Sequence, residues 1–449
     1  MAATKTILNI LRPTGIRTTA IIVWVLRVII GAVFIFSGWV KAVDIWGGTY
    51  KIGEYLGAWH IALPDSVIAL LAGALAMAEF MAGVMILLGC FRRMAIRLTA
   101  IFMAVMTALT LYIWIADPVK DCGCFGDAII LSNAATFWKN IVIDAMLVVL
   151  WINNHRAGAL VHTRLQWLAV IATAAFTGYI EYIGYRIQPV QDFRGFAPGT
   201  MLAHDDNDDN VRLVYAKDGI EQSFTADSLP DEESGWTYVR RATDRDKDNT
   251  SLAFISPDGE DITADVISPE GVQVILLIHD PRHYGRTRSA MANELYEALT
   301  AHGGDMFAVV GADDSTAAAW ANEARAHYPV YTADETDIKM LARGNGALVC
   351  LRDGHIIWKQ NTLTLPHNLG VSVMQDGLAV LDDPTYIEAL HTAASARHAA
   401  EIYILVLAIL MSMTAPPAIR NRLNAKTKSA KTKVKATTQF SACLSPQIF

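Results

Sequence analysis

Two cysteines one residue apart, Cys122 and Cys124 in the stretch DCGCFGD at 121–127, are the residues best suited to chemistry in a chain with five cysteines. A disulfide between them would close a very small ring, because extended backbone holds such Cα atoms near or beyond the usual ~4.4–6.8 Å window. Gly123 supplies the backbone freedom that so tight a ring requires. A strained bond of this kind is easily reduced, with ~30 mV of potential corresponding to about 1.4 kcal/mol. It is a poor staple, since closing a short loop removes little unfolded-state entropy. A metal would need at least two further soft ligands, and the loop has no other Cys and no His. Asp121 and Asp127 work against reactivity, because carboxylates raise the pKa of a neighbouring thiol. Three readings therefore stand: a redox-active pair, a passive disulfide or pair of buried thiols, and an incomplete metal site.

The elements that carry this loop are membrane spans. Hydrophobic residues make up 53% of the chain, and the mean hydropathy is +0.30, more than a soluble core uses. Apolar segments at 20–40, 67–88, 98–115, 136–151, 167–187 and 400–419 are long enough to cross about 30 Å of hydrocarbon. Their short connections sort the cations: Lys5, Arg12 and Arg17, then Arg92, Arg93 and Arg97, then Arg156 and Arg164, then Arg420 and Arg422 share one side. By the positive-inside rule that side is cytoplasmic. The DCGCFGD loop and a large hydrophilic segment fall on the other, which in a bacterium is the periplasm, where disulfides persist. The expected setting is a bacterial inner membrane with both termini in the cytoplasm. The net charge is −7, and the basic tail lacks interleaved aromatics, so nucleic acid is not an expected partner.

Charged residues inside spans are costly and tend to face a bundle interior. Counting ~1.5 Å per residue from the cytoplasmic ends, Arg27, Glu79 and Asp144 reach similar depths and are expected to meet. The cluster would fix helix register, or form a proton- or quinone-coupling site in which Arg27 holds an anionic head group and Glu79 or Asp144 takes a proton. Lys41, Asp44 and Lys139 are expected near the outer face, with Lys139 beneath the cysteine loop.

Several of these features occur together: Arg27 with FIFSGWVKAVD at 34–44, GGTYKIGEYLGAW at 47–59, Glu79, CGCFGD, and FWKNIVIDA at 137–145. The set resembles the DoxX-like superfamily, and CGCFG followed by a WKN-type helix looks most like its MauE branch, the methylamine-utilisation membrane proteins. The resemblance covers 20–152. It implies a four-helix membrane bundle and a link to disulfide handling during maturation of a periplasmic enzyme. The bundle is also similar in outline to vitamin K epoxide reductase and DsbB-type oxidoreductases, which implies a possible quinone; no other cofactor is evident.

The chain beyond residue 187 is soluble in character. Residues 188–251 read as a polar linker with short strands at VRLVYA and WTYVRRA, and the acidic HDDNDDN at 204–210 as a solvated run. From 252 to 397 strand and helix patterns alternate: VQVILLIH, an amphipathic helix, MFAVVGA, a second helix, then the hairpin ALVCLRDGHIIWK. This order, with ARGNGALVCLRDG at 342–354, resembles the thioredoxin fold. Its dithiol position reads HDPRHYG, without a thiol, and its cis-proline position holds Gly346. Cys350 reads as a buried small hydrophobe, Cys90 falls at the cytoplasmic end of the second span, and Cys443 falls in the cytoplasmic tail, so none resolves the pair.

The expected architecture is an α-helical multi-pass bundle, four MauE-like helices plus two further spans, joined to a degenerate α/β thioredoxin-like domain. In segments this is an N-terminus at 1–19, the bundle at 20–152, a fifth helix at 165–187, the linker, the soluble domain, a sixth helix at 400–419 and a basic tail at 420–449. The expected function is thiol–disulfide handling through Cys122 and Cys124, with a periplasmic protein carrying a thiol or disulfide as partner. The alternatives are a non-enzymatic scaffold that binds a partner, and a quinone- or small-molecule-binding membrane protein.

Overall fold

In the computed structural model, residues 2–414 are described apart from 120, 157, 203–211, 218–219, 226–229, 231–235, 243–251 and 257–258, with side chains from residue 19 onward except at 156, 212–214, 216–217, 220–223, 225 and 237–242. The acidic run at 204–210, the side chains of the N-terminal cations and the basic tail with Cys443 lie outside the described residues.

Six helices are long and apolar enough to span a bilayer among the described residues: Thr19–Val43, Asp65–Leu88, Arg92–Ala116, Asn133–Asn153, Thr163–Arg186 and Ala389–Ser412. They place the chain in a lipid bilayer. The first belongs to α1 (Ala2–Val43), and the next three are α3 (Asp65–Leu88), α4 (Arg92–Ala116) and α5 (Asn133–Asn153). The fifth is built on α6 (Gln166–Arg186), and the last is α12 (Ala389–Ser412). That last helix begins at Ala389 rather than near 400, because polar residues such as His391, Arg397 and His398 occupy its early turns and dilute the apolar signal. Between the first two spans, the stretch expected as a loop forms a further helix, α2 (Ile45–Ala58).

Helices α1 and α3 form the seam of the bundle. A Cβ on Gly38 would come within 2.3 Å of the Phe80 backbone nitrogen, and one on Gly83 within 2.6 Å of that of Ile35. Small residues at such crossings let backbones approach, which is how helices associate where lipid is as apolar as the side chains. Around the seam, Ile30, Phe34, Ala76, Phe80 and Leu147 are buried. The Tyr403 ring of α12 stacks on Phe176 of α6 at 4.5 Å, and its hydroxyl shares a 3.0 Å hydrogen bond with Thr173.

The soluble part contains a small antiparallel sheet, β1 (Arg212–Lys217), β2 (Ile220–Thr225) and β3 (Thr237–Ala242), in the order β2-β1-β3. After the short α7 (Thr263–Val266) come β4 (Val272–Ile278), α8 (Arg286–Ala301), β5 (Asp305–Val310), α9 (Asp314–Ala324), β6 (Val330–Thr332) and α10 (Glu335–Leu341). The hairpin β7 (Ala347–Arg352) and β8 (His355–Asn361) and helix α11 (Leu369–Asp376) complete it. The sheet order is β6-β5-β4-β7-β8, with β4, β5 and β6 parallel and the hairpin antiparallel. This is the thioredoxin-like arrangement of a βαβ unit followed by a β-hairpin. Strand β4 is apolar from Val274 to Ile278 because both faces are covered. Leu276 and Ile278 pack in the cluster with Leu295 and Val373, while Ile275 and Leu277 pack with Phe196, Phe254 and Leu341.

The expected linker is partly structural. Residues 187–202 form a strap against the soluble sheet, with Phe196 and Leu202 in its core and a backbone hydrogen bond from Asn361 to Ile187. Asp192 binds Arg194 at 2.8 Å and pairs with Lys359, all three side chains being buried.

Gly38→Val should drive α1 and α3 apart and cost about 1–3 kcal/mol as an overpacked contact. Thermal unfolding in detergent should show a lowered midpoint for Gly38→Val. Gly57→Ala, at a glycine with open space around it, should leave the midpoint unchanged or raised.

Candidate functional site

The thiols sit where the loop between α4 and α5 folds over the mouth of the bundle. Their sulfurs are 3.0 Å apart and unbonded, Cys122 buried and Cys124 half-buried. Gly123 between them has φ +65°, the left-handed region in which glycine is unstrained, and a Cβ there would strike the Lys51 side chain at 2.9 Å. Asp121 accepts from the Gly123 amide at 2.8 Å and forms an ion pair with Lys51 at 3.1 Å. The Tyr55 hydroxyl, from α2, donates to the Cys122 carbonyl at 3.0 Å. Cys122 packs with Ile113 and Val119, and Leu109 and Tyr55 adjoin this cluster.

Cys124 adjoins that cluster too, and it also borders a pocket of about 30 Å³ in which Ser37, Lys41, Glu79, Lys139 and Asn140 stand among apolar residues such as Phe34, Met103 and Phe125. Lys41 donates to both Glu79 oxygens at 2.7 Å, and the Ser37 hydroxyl lies 2.6 Å from both the Glu79 Oε2 and the Cys124 carbonyl oxygen. Lys139 lies over the Phe125 ring at 4.4 Å. These surroundings separate the two thiols. The Cys124 pKa is pulled down to about 6, first by the hydrogen bond from Cys122 and then by Lys139 and Lys41, against burial and Glu79. The Cys122 thiol is pushed up, first because it gives that hydrogen bond and then by burial. Cys124 is therefore the more acidic thiol of the pair. Asp121 and Asp127, expected to raise the pKa of a neighbouring thiol, are paired with Lys51 and with Arg343, which Asp127 shares with Asp44.

The expected cluster of Arg27, Glu79 and Asp144 does not form. Arg27 lies at the far end of the bundle, where it donates to the carbonyls of Ile86 at 2.9 Å, Leu87 at 3.0 Å and Gly158 at 2.7 Å. It closes the exposed carbonyl end of α3. Asp144 accepts from Thr107 at 2.7 Å. The depths differ from those expected, because α1 continues back to Ala2 and Arg27 lies level with the end of α3, whereas Glu79, about two turns away along α3, pairs with Lys41 on α1. Lys139 does sit beneath the cysteine loop. Asp44 caps α2 by accepting from the Gly47 amide at 2.9 Å, and it also binds the soluble domain.

That last contact was not visible in the sequence. Arg343, in the loop before β7, reaches into the membrane domain and is 4% exposed. Its guanidinium meets Asp44 at 2.6 Å and Asp127, the last residue of the cysteine motif, at 2.5 Å. Its own backbone is held in both directions by Gln188 of the strap, at 2.9 and 2.7 Å. The two carboxylates raise the Arg343 pKa against the opposing effect of burial, and Arg343 in turn holds Asp44 below the usual carboxylate range despite its burial. Next to it, the Gly344 amide donates to the Tyr50 hydroxyl at 3.2 Å, and the His279 ring meets Tyr50 edge-on at 5.9 Å. The face on which a thioredoxin carries its dithiol is thus covered by α2, and its degenerate residues serve docking. Burial, before nearby charges, lowers the His279 pKa to about 4. Cys350 is buried in β7, as its strand position implies.

Between these parts lies a cavity of about 200 Å³. Cys122 and Cys124, Tyr55, Lys41 and Lys51, and Phe193 of the strap help line it.

Residues 19–153 match the family model of methylamine utilisation protein MauE, so the membrane part that carries the thiols is MauE-like. Residues 210–245 match a domain family of unknown function, DUF8463. No curated protein matches the chain. Solved structures similar to it include the Xanthomonas campestris bacterioferritin comigratory protein, studied for alkyl peroxide reduction. Its identity is 11% and its TM-score 0.23, over 29% of this chain and 92% of that one. Xanthomonas campestris peroxiredoxin Q is similar at 11% identity and TM-score 0.23, over 29% and 91%. The thioredoxin-like assignment rests on the strand order and directions given above.

Alkylation of Cys124 by iodoacetamide, followed by mass spectrometry across pH, should show a midpoint near about 6. Lys139→Met removes a cation that favours the thiolate and should move the midpoint up. Glu79→Gln removes an anion that opposes it and should move the midpoint down.

Proposed function

We propose that this chain is a membrane thiol–disulfide exchange protein in which Cys124 attacks and Cys122 resolves. The observation that carries this reading is the unequal pair itself: sulfurs 3.0 Å apart, one among apolar side chains and the other beside Lys41 and Lys139. Thiolate character is what nucleophilic sulfur chemistry requires, and cations supply it. In the reducing direction, the Cys124 thiolate attacks one sulfur of a partner disulfide, and the other partner sulfur leaves as thiolate. Cys122 then loses its proton and attacks Cys124 Sγ, releasing the second partner thiol. The pair ends as a disulfide, oxidised by two electrons, and the partner ends reduced. The reverse sequence oxidises a partner dithiol.

The MauE match supports a role in maturing a protein partner on the thiol side of the membrane. The arginines at the opposite face, among them Arg92, Arg93 and Arg164, support placing that side in the periplasm of a bacterial inner membrane. Within the chain, the thioredoxin-like domain orders the site and Cys122 and Cys124 do the exchange. The exchange steps above are written without a quinone.

Trapping in whole cells tests the exchange. Cys122→Ser should accumulate a mixed disulfide between Cys124 and a partner protein, visible on non-reducing gels, and Cys124→Ser should not. If the single variant captures nothing and the wild-type pair never changes redox state, the exchange reading fails and a scaffold role takes its place.

A further inference from the structure

We infer that the cavity beside the thiols admits an uncharged, ring-sized, low-molecular-mass disulfide as one co-reactant of the pair, an inference that rests on the exchange reading above. A dithiol cycle needs two co-reactants, one giving electrons and one taking them, so a protein partner leaves one place open. The volume of about 200 Å³ sets the size, because roughly 150 Å³ already holds a benzene ring.

Charge sets the class. Five ionisable residues of Asp, Lys and Arg type contribute to the wall: Lys41, Asp44, Lys51, Asp121 and Asp127. Each already has an ion-pair partner. Lys41 holds Glu79 at 2.7 Å, Lys51 is shared by Asp121 at 3.1 Å and Glu54 at 2.8 Å, and Arg343 is shared by Asp44 and Asp127. The rest of the lining is largely apolar, with Ile52, Leu75, Met106, Leu109, Ile130 and Phe193 among it. An ionic ligand would give up its hydration for counter-charges already engaged in ion pairs, a costly exchange. A neutral one loses little and gains apolar contact. The reaction balances as thiol exchange: the Cys124 thiolate forms a bond to one sulfur of the small disulfide, whose other half leaves as thiolate. Cys122, deprotonated, then forms the bond to Cys124 Sγ and expels the second half.

Methanethiosulfonates probe this directly, since the thiolate takes their sulfenyl sulfur and methanesulfinate leaves. The full-length protein in detergent is treated with methyl methanethiosulfonate, its sulfonatoethyl analogue or its trimethylammonioethyl analogue, and labelling of Cys124 is timed by mass spectrometry. Rates are divided by those of the same chain in denaturant, which removes intrinsic reactivity. The neutral reagent should then exceed both charged ones by about tenfold or more, about 1.4 kcal/mol. Arg343→Gln leaves Asp44 and Asp127 without their cation and should raise the cationic-to-neutral ratio by about tenfold. Lys51→Met, at a partly exposed residue whose loss does not threaten folding, should shift the ratio in the same direction through Asp121. Equal corrected rates for the three reagents in the wild type, or ratios unmoved in Lys51→Met, overturn the inference. If selectivity holds while whole-cell trapping shows no redox change, the exchange reading fails and the neutral-ligand cavity stands.

Discussion

Arg343 is the constraint from which the arrangement of this molecule follows. A guanidinium at 4% exposure with Asp44 and Asp127 as partners has been taken out of water at a cost that its ion pairs roughly offset. Such an interaction adds little to stability as a sum, yet it is unforgiving of rearrangement, because any other position leaves a buried charge alone. Its three partners come from distant parts of the chain. Asp44 ends the first span, Asp127 ends the cysteine motif, and Gln188 begins the strap, which binds the Arg343 backbone at 2.7 and 2.9 Å. One side chain therefore fixes the soluble domain, the strap and the thiol loop relative to one another. Gly47 makes room for it, since a Cβ there would lie 2.5 Å from Asp44 and 2.9 Å from the guanidinium.

The thiol site depends on this closure. With Asp127 held by Arg343 and Asp121 by Lys51, the acids of the motif are neutralised. Lys41 and Lys139 then act on Cys124 without opposition from the loop, and Glu79 is left as the opposing charge. The asymmetry between the cysteines comes from direction. Cys122 lies within the apolar cluster of Ile113 and Val119, while Cys124 sits at its edge and also borders the pocket that holds the two lysines. A sequence-adjacent pair acquires different chemistry because the loop straddles a boundary between an apolar cluster and an ionic one.

The thioredoxin-like domain illustrates how a fold outlives its site. Its strand order is intact, while the segment after β4 contains His279 and Tyr284 where thiols would act. The same face now meets Tyr50 and Trp46 of α2. Gly346, with φ +87°, leaves space for the Tyr284 ring, which a Cβ would meet at 2.3 Å. This face is an internal interface, so the fold by itself does not identify a reacting site.

The sequence by itself determined the spans, the succession of most strands and helices along the chain, and the thiol pair on which the proposal rests. These are written in local patterns: runs of apolar residues long enough for hydrocarbon, alternation between strand and helix periods, and a Cys-Gly-Cys motif without rivals. The positions of Arg27, Glu79 and Asp144 show where such reading stops. Rise per residue gives depth only from a known helix end, and α1 continues back to Ala2, so Arg27 meets the carbonyls ending α3 while Glu79 pairs with Lys41. Helix α2 is hard to read in the sequence because its glycines and tyrosines imitate a loop. Nothing in the sequence sets Arg343 apart from the other arginines of the chain. Only the tertiary structure brought it to Asp44 and Asp127, across separations of 299 and 216 residues, because an ion pair is chosen by proximity in space, about which spacing along the chain says nothing.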